Sequence, residues 1–553
     1  MPTININRKV FEELVGKKLP DDELKDRISM LGTDLESIDK DEINVEVFPN
    51  RPDMLSEQGF ARAFSSFISQ KTGVRKFNVK KKDYKVKVDK EVGKVRPYTA
   101  CAVVKNLNLD DEKIREVVQI QEKLHVTYGR KRKKAAIGIY PLEKIEFPIT
   151  FTARKPDEIS FRPLEADKEL TGMKILSQTS AGREYGHLLE GLTKFPIFVD
   201  AKGQTLSMPP IINSHDTGKI NEKTTDVFIE CSGHDFRTLR SCLNIIVCAL
   251  SDMGGDIYSI ELEYPDETTT TPDLEPVRMN LDLEYINKRL GLELKEKDAK
   301  TLLERMGYGY EKGEVLVPAY RTDVIHQVDL GEDIAIAYGY ENFEPELADC
   351  STVGNEEPFE IFKNRIAHIL VGLGLIETNT TNVTSWQLQN EMMNAEMPCI
   401  KLKNALSSEY DTLRAWVIPS MMEVLSNNKH NEYPQSIFGI GTVFKKKEGT
   451  ETNVKEDERL AVAMIGEDVD FTKIKQVMDY LFRSMDIAYE VNETEHPSFI
   501  PGRTGRTRVN GKDLAYIGEI HPAVLENWKL EYPVGVLELN LSDLWKVKDE
   551  KED

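Results

Sequence analysis

The 553-residue sequence predicts a multidomain α+β protein. The chain is several times longer than the roughly 150 residues that one hydrophobic core usually serves. Hydrophobic residues make up 40% of it, which is enough for several cores. Segments with the period-two alternation of strands and segments with helical spacing follow one another along the chain. Shifts in composition place predicted domains at residues 1–88, 89–270, 271–347 and 355–550.

The first predicted domain combines two strands with two helices. Apolar residues at helical spacing, Leu24, Ile28 and Leu31, follow Pro20 and indicate the first helix. A Pro-containing turn at residues 50–53 precedes the second. The predicted elements are strands at 3–6 and 43–48 and helices at about 21–31 and 55–69. Lysines and valines alternate in part over residues 79–90, which indicates an exposed strand or a linker.

The second and third predicted domains meet in the polar, proline-containing stretch at residues 263–276. The second is expected to hold strands at 98–104, 135–140, 196–200 and 226–230 and a helix at 239–253. The third is expected to hold helices at about 283–290 and 299–306, a strand at 315–317 and a helix from about 326 to 338.

The fourth predicted domain alternates helices and strands. Helices are expected at 359–373 and 474–485, and strands at 436–444, 460–465, 514–519 and 535–539. The acidic tail after Lys548 is expected to fray.

Composition limits the function classes. A net charge of −21 counts against a protein whose whole surface binds nucleic acid. Local basic stretches remain candidates, although each is more typical of a solvated loop; they lie at residues 80–82, 130–134 and 445–447. The six cysteines include no C-x-x-C pair, so no zinc site is predicted and a reducing compartment is expected. The absence of a signal peptide or membrane-length apolar stretch predicts a cytoplasmic protein without a membrane partner.

An acidic cluster is the first candidate site. Asp329, Glu332 and Asp333 have the spacing i, i+3, i+4 and would share one face of a helix, with Asp323 just before it. Oxygen ligands without His or Cys favour a hard cation such as Mg²⁺ or Ca²⁺. The alternative is a solvated acidic helix start, which the helix dipole favours.

A polar stretch at residues 203–230 is the second candidate site. Ser207, His215 and Asp216 could suggest a hydrolytic triad, but His215 and Asp216 are adjacent and no G-x-S-x-G surrounds Ser207. A pocket of neutral hydrogen-bonding groups that orients a substrate and a water fits better. A polar loop that satisfies its own backbone is the alternative.

Nucleotide-binding signatures are missing. The sequence has no G-x-x-x-x-G-K-[ST] loop and no G-x-G-x-x-G after a strand. The string GRTGRTR at residues 502–508 could bind phosphate, but a charged β-hairpin is the simpler interpretation.

Several segments resemble the phenylalanyl-tRNA synthetase β chain family, and their order and spacing make the resemblance specific and nearly end to end. They are FPNRPDMLS at 48–56, GRKRKKAAIGIYPLEKI at 129–145, YRTDVIHQVDLGEDIAIAYGYENF at 320–343, DTLRAWVIPSMMEVLSNN at 411–428, IFGIGTVF at 437–444, HPSFIPGRTG at 496–505 and IGEIHP at 517–522.

The resemblance implies a B3/B4 editing domain at 89–270, a B5 domain at 271–347 and a C-terminal module with the antiparallel class II synthetase sheet but without its catalytic residues. It implies an α2β2 heterotetramer with an α subunit that uses ATP to charge tRNA(Phe). It also assigns Mg²⁺ to Asp323, Asp329, Glu332 and Asp333.

The resemblance further implies hydrolysis of tyrosine wrongly attached to tRNA(Phe). Glu230 would recognise the phenolic hydroxyl, Ser207 and Asn213 would hold the ester or a water, and Phe198 would form an apolar wall. One departure concerns Tyr140 and Pro141, where many relatives carry His-Asp; loss of that His puts editing in doubt. A scaffold subunit that binds tRNA but has lost editing is therefore the alternative. A stand-alone editing protein fits less well, because it has no need of a synthetase-like module.

Overall fold

A computed structural model describes residues 2–164, 166–348 and 352–549. The chain forms two compact units, Met1–Glu346 and Leu347–Asp553. Cys350 and most of the tail that is predicted to fray lie outside the described residues. Within those residues no helix has the length and apolar character needed to cross a membrane.

The first part of the chain forms a three-stranded antiparallel sheet with three helices. The strand order is β1-β3-β2. The two predicted strands and two predicted helices are confirmed, and α1 and β2 are additional. The elements are β1 (Thr3–Asn7), α1 (Arg8–Val15), α2 (Asp21–Met30), β2 (Asp34–Ile38), β3 (Glu42–Glu46) and α3 (Glu57–Phe67).

An eleven-stranded mixed sheet, a separate two-stranded sheet of β9 and β10, and their helices follow. The elements are β4 (Val79–Lys80), β5 (Lys85–Val88), β6 (Tyr98–Lys105), α4 (Asp111–Val126), β7 (Ala135–Pro141), β8 (Ile149–Arg154), β9 (Ser160–Phe161), β10 (Leu170–Thr171), α5 (Gly172–Gln178), α6 (Ser180–Tyr185), β11 (Phe195–Val199), β12 (Thr205–Met208), β13 (Ile212–Asn213), α7 (His215–Gly218), β14 (Val227–Gly233), α8 (Phe236–Asp252), β15 (Asp256–Glu263) and β16 (Thr268–Thr271). The four predicted strands and the predicted helix are confirmed.

The large sheet has the order β13-β12-β11-β8-β5-β15-β6-β14-β7, and β4 and β16 also pair with β15. β5 is an interior strand, so the expectation of an exposed strand or linker at 79–90 is wrong there. The reason is that Val86 and Val88 are buried among apolar residues of one sheet face. The sheet thus includes two strands that precede the predicted boundary at residue 88.

The third part of the chain joins a small antiparallel sheet, of order β17-β19-β18, to three helices. Ile286, Leu303, Leu330 and Ile334 from these helices belong to one continuous core with the first part and one face of the large sheet. The predicted helices and the predicted strand are confirmed. The elements are β17 (Val277–Asn280), α9 (Leu283–Leu290), α10 (Glu296–Arg305), β18 (Gly309–Glu311), β19 (Glu314–Val317) and α11 (Gln327–Tyr338).

The second unit is built on a seven-stranded sheet of order β20-β24-β25-β29-β28-β27-β26, and only the β20–β24 pairing is parallel. A short sheet of order β21-β23-β22 lies in the same unit. The elements are α12 (Pro358–Gly372), β20 (Ile376–Glu377), β21 (Val383–Thr384), α13 (Trp386–Gln389), β22 (Ile400–Lys401), β23 (Thr412–Leu413), α14 (Ile418–Asn427), β24 (Gln435–Lys446), β25 (Val454–Ile465), α15 (Phe471–Ser484), β26 (Glu490–Glu493), β27 (Phe499–Val509), β28 (Lys512–Ile520), α16 (Pro522–Trp528), β29 (Val534–Asn540) and α17 (Leu541–Asp549).

Both faces of the seven-stranded sheet are buried. Along β25, Leu460 and Val462 belong to one hydrophobic cluster and Ala461 and Ala463 to another. This follows from the alternation of side chains along a strand. The predicted helices and strands of this region are confirmed, and the string GRTGRTR lies in β27, which pairs with β28 as the predicted hairpin.

Candidate functional site

The register of β7 against β14 creates the candidate site. Glu230 lies opposite Gly138, and Phe228 lies opposite Tyr140, so all four residues share one face of the sheet. A Cβ on Gly138 would lie 2.2 Å from the Tyr140 hydroxyl and 2.7 Å from Glu230 Oε1. The glycine is therefore what allows the phenol ring and the carboxyl group to meet.

Tyr140 makes hydrogen bonds with the two polar residues at this point. Its hydroxyl lies 3.1 Å from Glu230 Oε1 and 3.2 Å from Asn213 Oδ1, and its one proton serves both acceptors. Ser207 Oγ and Glu230 Oε2 are buried and have no hydrogen-bond partner among the described residues. Unpaired buried polar atoms cost free energy, so these two atoms are placed to receive a ligand or a water.

Burial controls the charge of the site. It raises the pKa of Glu230 to about 8, although the Tyr140 hydrogen bond and the Arg96 guanidinium act in the opposite direction. Burial, and then the Glu230 charge, raises the pKa of Tyr140 well above its ordinary value. At neutral pH Glu230 is mainly a neutral acid, so it can both donate a hydrogen bond to a hydroxyl and accept one from it.

A cavity of about 160 Å³ adjoins this pair, and Asn213 and Glu230 lie on its wall. His125 lines it as well; His125 Nε2 accepts from the backbone N–H of Ile137 at 2.8 Å, so Nδ1 carries the proton and donates to Glu122 at 3.1 Å. Burial lowers the pKa of His125. The imidazole is therefore neutral and held in one tautomer.

Arg132 closes the cavity on the side of α4. It donates to the carbonyl of Ile211 at 2.8 Å and to Glu122 at 3.1 Å, and its guanidinium lies 4.3 Å from the centroid of the Tyr185 ring. Residues 130–132 all have positive φ, of 49°, 51° and 64°. Such a run is costly for side chains other than glycine and holds the neighbouring basic side chains in a tight, exposed loop.

The structure brings together most of the predicted pocket residues. Asn213 and Glu230 line the cavity, and Ser207 is close enough to lower the pKa values of Tyr140 and Glu230 without making a hydrogen bond of normal geometry. Phe198 is not on the cavity wall. Its ring is stacked on Phe151, with 4.3 Å between centroids, in the core that also contains Tyr140.

A hydrolytic triad does not form. His215 pairs with its neighbour Asp216 at 3.2 Å, and no hydrogen bond links it to the unpartnered Ser207 Oγ. The rejection of that arrangement at the sequence level therefore agrees with the geometry.

The predicted acidic cluster is organised around an arginine. The side chain of Arg321 is only 2% exposed and binds Asp323 at 2.6 Å and Asp333 at 2.7 Å. The hydroxyl of Tyr308 also donates to Asp333. Burial alone would raise the pKa of Asp323, but Arg321 and Arg51 outweigh it and hold that pKa below its ordinary value.

The other two predicted metal ligands are engaged elsewhere. Asp329 Oδ2 accepts from the backbone N–H groups of Ile325 and His326, both at 2.8 Å, and so caps the start of α11. Glu332 accepts from the Tyr340 hydroxyl at 2.7 Å. As arranged, the four carboxylates do not fit one shared cation. Among the residues that the structure describes, no three His, Cys, Asp or Glu side chains are grouped to hold a metal ion.

Several residues of the site were not predicted from the sequence. Glu122 and His125 lie on α4, which shows its buried face through Val117, Ile120 and Leu124 at helical spacing. That spacing could have identified the helix. The meeting of Gly138 and Tyr140 with Glu230 could not be found in this way, because the register of strands 90 residues apart is not written in either strand.

Models of known protein families match two consecutive segments of the chain. Residues 279–340 match the tRNA synthetase B5 domain, and residues 344–541 match the phenylalanyl tRNA synthetase beta chain CLM domain. The phenylalanine–tRNA ligase beta subunit of Pyrococcus abyssi is 40% identical, with 99% of this chain and 100% of the relative covered. That of Archaeoglobus fulgidus is 36% identical, with 98% of each covered.

A solved structure also matches this chain. It is an N-terminal fragment of the phenylalanyl-tRNA synthetase beta subunit from Pyrococcus horikoshii, with a TM-score of 0.59 and 36% identity, and the match covers 61% of this chain and 99% of the fragment. A B5 domain followed by a beta chain CLM domain defines a subunit of an aminoacyl-tRNA synthetase. The chain belongs to the phenylalanine–tRNA ligase beta subunit family.

Proposed function

We propose that this chain pairs with a catalytic α subunit in a cytoplasmic α2β2 phenylalanine–tRNA ligase that uses ATP to attach phenylalanine to tRNA(Phe). The family membership supports this assignment. Adenylate formation is assigned to the α subunit, because the second unit here has no glycine-rich phosphate loop and its GRTGRTR string is used in a β-hairpin.

The pocket at Glu230 is proposed to hydrolyse tyrosine wrongly attached to tRNA(Phe). The observation that carries this proposal is a buried carboxyl group with one unpartnered oxygen on the wall of a cavity. A hydrophobic pocket rejects one added hydroxyl poorly, whereas a separate site that hydrogen-bonds the hydroxyl selects it well. Glu230 has the chemistry for that second site.

The reaction needs no covalent enzyme intermediate. A water held near Ser207 and Asn213 adds to the ester carbonyl, the bond to the terminal ribose oxygen breaks, and tyrosine and tRNA with a free 3′-terminal hydroxyl are released. Phe198 supports the pocket from the core behind it rather than as a direct wall. The neutral Glu230 recognises the phenol, so its role is selection and not proton abstraction.

A scaffold function without editing is the second candidate, and Tyr140 favours it. The Tyr140 hydroxyl already occupies Glu230 Oε1 and Asn213 Oδ1, which are the groups proposed to receive the substrate.

Contact with tRNA is proposed at the basic loop of residues 130–134. Four of its side chains are exposed, and Arg132 reaches the cavity wall, so a phosphate-bearing 3′ end that enters the cavity passes the loop. The other two predicted basic stretches are not assigned this contact with tRNA. Lys80 is paired with Asp256 at 2.7 Å, and residues 445–447 belong to the other unit.

Mg²⁺ at Asp323, Asp329, Glu332 and Asp333 is kept as a separate proposal. The i, i+3, i+4 spacing of Asp329, Glu332 and Asp333 along α11 supports it. Binding there requires Asp323 and Asp333 to release Arg321, so the ion would replace an arginine as the neutralising charge.

Deacylation of Tyr-tRNA(Phe) by the complex of this chain with its α subunit tests the editing function. Glu230→Ala and Asn213→Ala should each slow hydrolysis about tenfold or more, because each removes a hydrogen bond to the substrate or the water. His215→Ala is the control two residues from Asn213; its side chain pairs with Asp216 and does not line the cavity, so the rate should stay unchanged. Absence of hydrolysis in every form of the complex would favour the scaffold.

A further inference from the structure

We infer that Tyr140 is the gate of the editing pocket: its phenol occupies, inside the resting protein, the position at Glu230 that the phenol of a bound tyrosine takes. This inference rests on the proposed function of the pocket. It assigns a specificity-determining role to a residue that supplies no catalytic group.

The chemistry of the contact is the first reason. Tyr140 carries the same functional group that the pocket has to recognise, and that group is hydrogen-bonded to Glu230 at 3.1 Å. The same hydroxyl also donates a hydrogen bond to Asn213 Oδ1, at 3.2 Å. Glu230 Oε1 and Asn213 Oδ1 are therefore used by the protein itself, and Glu230 Oε2 and Ser207 Oγ remain without a partner among the described residues.

The packing of Tyr140 is the second reason. The side chain is fully buried, and its ring lies 5.8 Å from the ring of Phe228, its partner across the strands. Gly138 leaves the space that the hydroxyl fills. A substrate phenol can reach Glu230 Oε1, the oxygen that Tyr140 binds, only if this side chain moves away, so the two phenols compete for one position.

The competition predicts which changes open the pocket. Tyr140→Ala removes both the hydroxyl and the ring, which frees the hydrogen-bonding groups and the space. Tyr140→Phe frees the hydrogen-bonding groups but leaves the ring in place. Opening should therefore be large for the first variant and small for the second.

Deacylation of Tyr-tRNA(Phe) by the α–β complex measures this. We expect Tyr140→Ala to hydrolyse about tenfold faster than the unmutated complex, because it frees both the hydrogen-bonding groups and the space, and Tyr140→Phe about threefold faster, because it frees the hydrogen-bonding groups alone. The double variant Tyr140→Ala with Glu230→Ala should lose the gain, because alanine can neither donate a hydrogen bond to the phenol nor accept one. Phenylalanine charging serves as the folding control, since it takes place on the α subunit, and Tyr140→Phe carries the test if the alanine variant does not fold.

Chemical rescue adds a readout that a purely structural role would not move. The compound p-cresol is the side chain that Tyr140→Ala lacks, so it should inhibit the gained hydrolysis, whereas toluene of the same shape should not. A Tyr140→Ala complex that charges phenylalanine yet hydrolyses no faster than an active unmutated complex would overturn the gate.

Failure of the proposed function gives a different pattern. If no form of the complex hydrolyses Tyr-tRNA(Phe), equilibrium binding of p-cresol to the Tyr140→Ala complex still decides the inference. Binding that disappears with Glu230→Ala supports an internal phenol at a phenol site without hydrolysis. No binding to the Tyr140→Ala complex overturns it.

Discussion

Glu230 illustrates how burial changes the chemistry of one side chain. An exposed glutamate is a charged acceptor at neutral pH, but the fully buried Glu230 has a pKa of about 8 and is mainly a neutral acid. A neutral acid can exchange hydrogen bonds with a phenol in both directions. Arg96, itself buried with its pKa lowered to about 10, limits the shift without abolishing it.

The raised pKa makes stability depend on pH. The pKa of Glu230 rises from 4.5 to about 8 on folding, so its contribution is complete below about pH 4.5 and is lost as the pH rises towards 8. The slope is about 1.4 kcal/mol per pH unit. Glu230→Gln, which cannot ionise, should lose less stability between pH 5.5 and pH 8 in urea unfolding.

Comparing the unmutated protein with Glu230→Gln isolates the contribution of Glu230. Glu57, whose pKa burial and Glu116 also raise to about 8, contributes equally to both proteins. Parallel stability curves for the two proteins would show that Glu230 is ionised in the folded state.

Arg321 forms a buried ion pair with Asp323 and with Asp333. Arg321→Ala leaves Asp323 and Asp333 buried without their shared cation, which should cost about 3–5 kcal/mol of unfolding free energy. Arg278→Ala is the control, because Arg278 also binds two carboxylates but is 54% exposed. Its loss should cost far less, because water and salt screen exposed ion pairs. Similar losses in the two variants would show that the buried cluster is not held by Arg321.

Variants of the same acidic cluster test the binding of Mg²⁺. If the ion binds as proposed, Mg²⁺ should raise the Tm of the chelator-treated protein, and Asp329→Ala and Glu332→Ala should each remove the effect. It should also recover part of the stability lost in Arg321→Ala, since the vacated carboxylates are free to bind it. A Tm that is insensitive to Mg²⁺ in all forms would leave Arg321 as the cation of this cluster.

At the scale of elements, the loop between α4 and β7 is the proposed site of tRNA contact beside the pocket. Lys131→Ala combined with Lys133→Ala should weaken tRNA binding and reduce its dependence on salt, because fewer phosphate charges are neutralised. The control is Lys446→Ala combined with Lys447→Ala, which removes the same exposed charge from the other unit. The KM for Tyr-tRNA(Phe), measured across salt concentrations, separates them. Equal changes in both double variants would refute a specific role for the loop.

Elements also show where the sequence pattern was sufficient. Helices α8, α10 and α15 carry long apolar stripes and were predicted. Helices α1 and α4 were not predicted, although the apolar residues of α4 have helical spacing, because the buried faces also carry the charged residues Arg8 and Glu116. The short strand β2 has mostly exposed residues and presents no alternation to detect.

At the scale of the whole molecule, the net charge of −21 opposes general attraction to tRNA. Contact should therefore be local on this chain, with the α subunit supplying the remainder. Co-expression with the α subunit should give a species whose native mass corresponds to two copies of each chain. A chain that stays monomeric in the presence of its partner would contradict the heterotetramer.

The sequence by itself determined the family, the succession of most helices and strands, and the residue types of the candidate site. The helices and strands are local properties, since each depends on spacing within one segment, whereas the family follows from the order of several segments along the chain. It also identified Tyr140 as unusual, without showing what the residue contacts.

Only the tertiary structure decided the register that places Tyr140 and Gly138 beside Glu230. It also decided the packing that pairs Asp323 and Asp333 with Arg321. Strand pairing and burial depend on the whole core, which no single segment encodes. Burial is also what makes Glu230 a neutral acid, so the chemical state of the site became clear only from the folded chain.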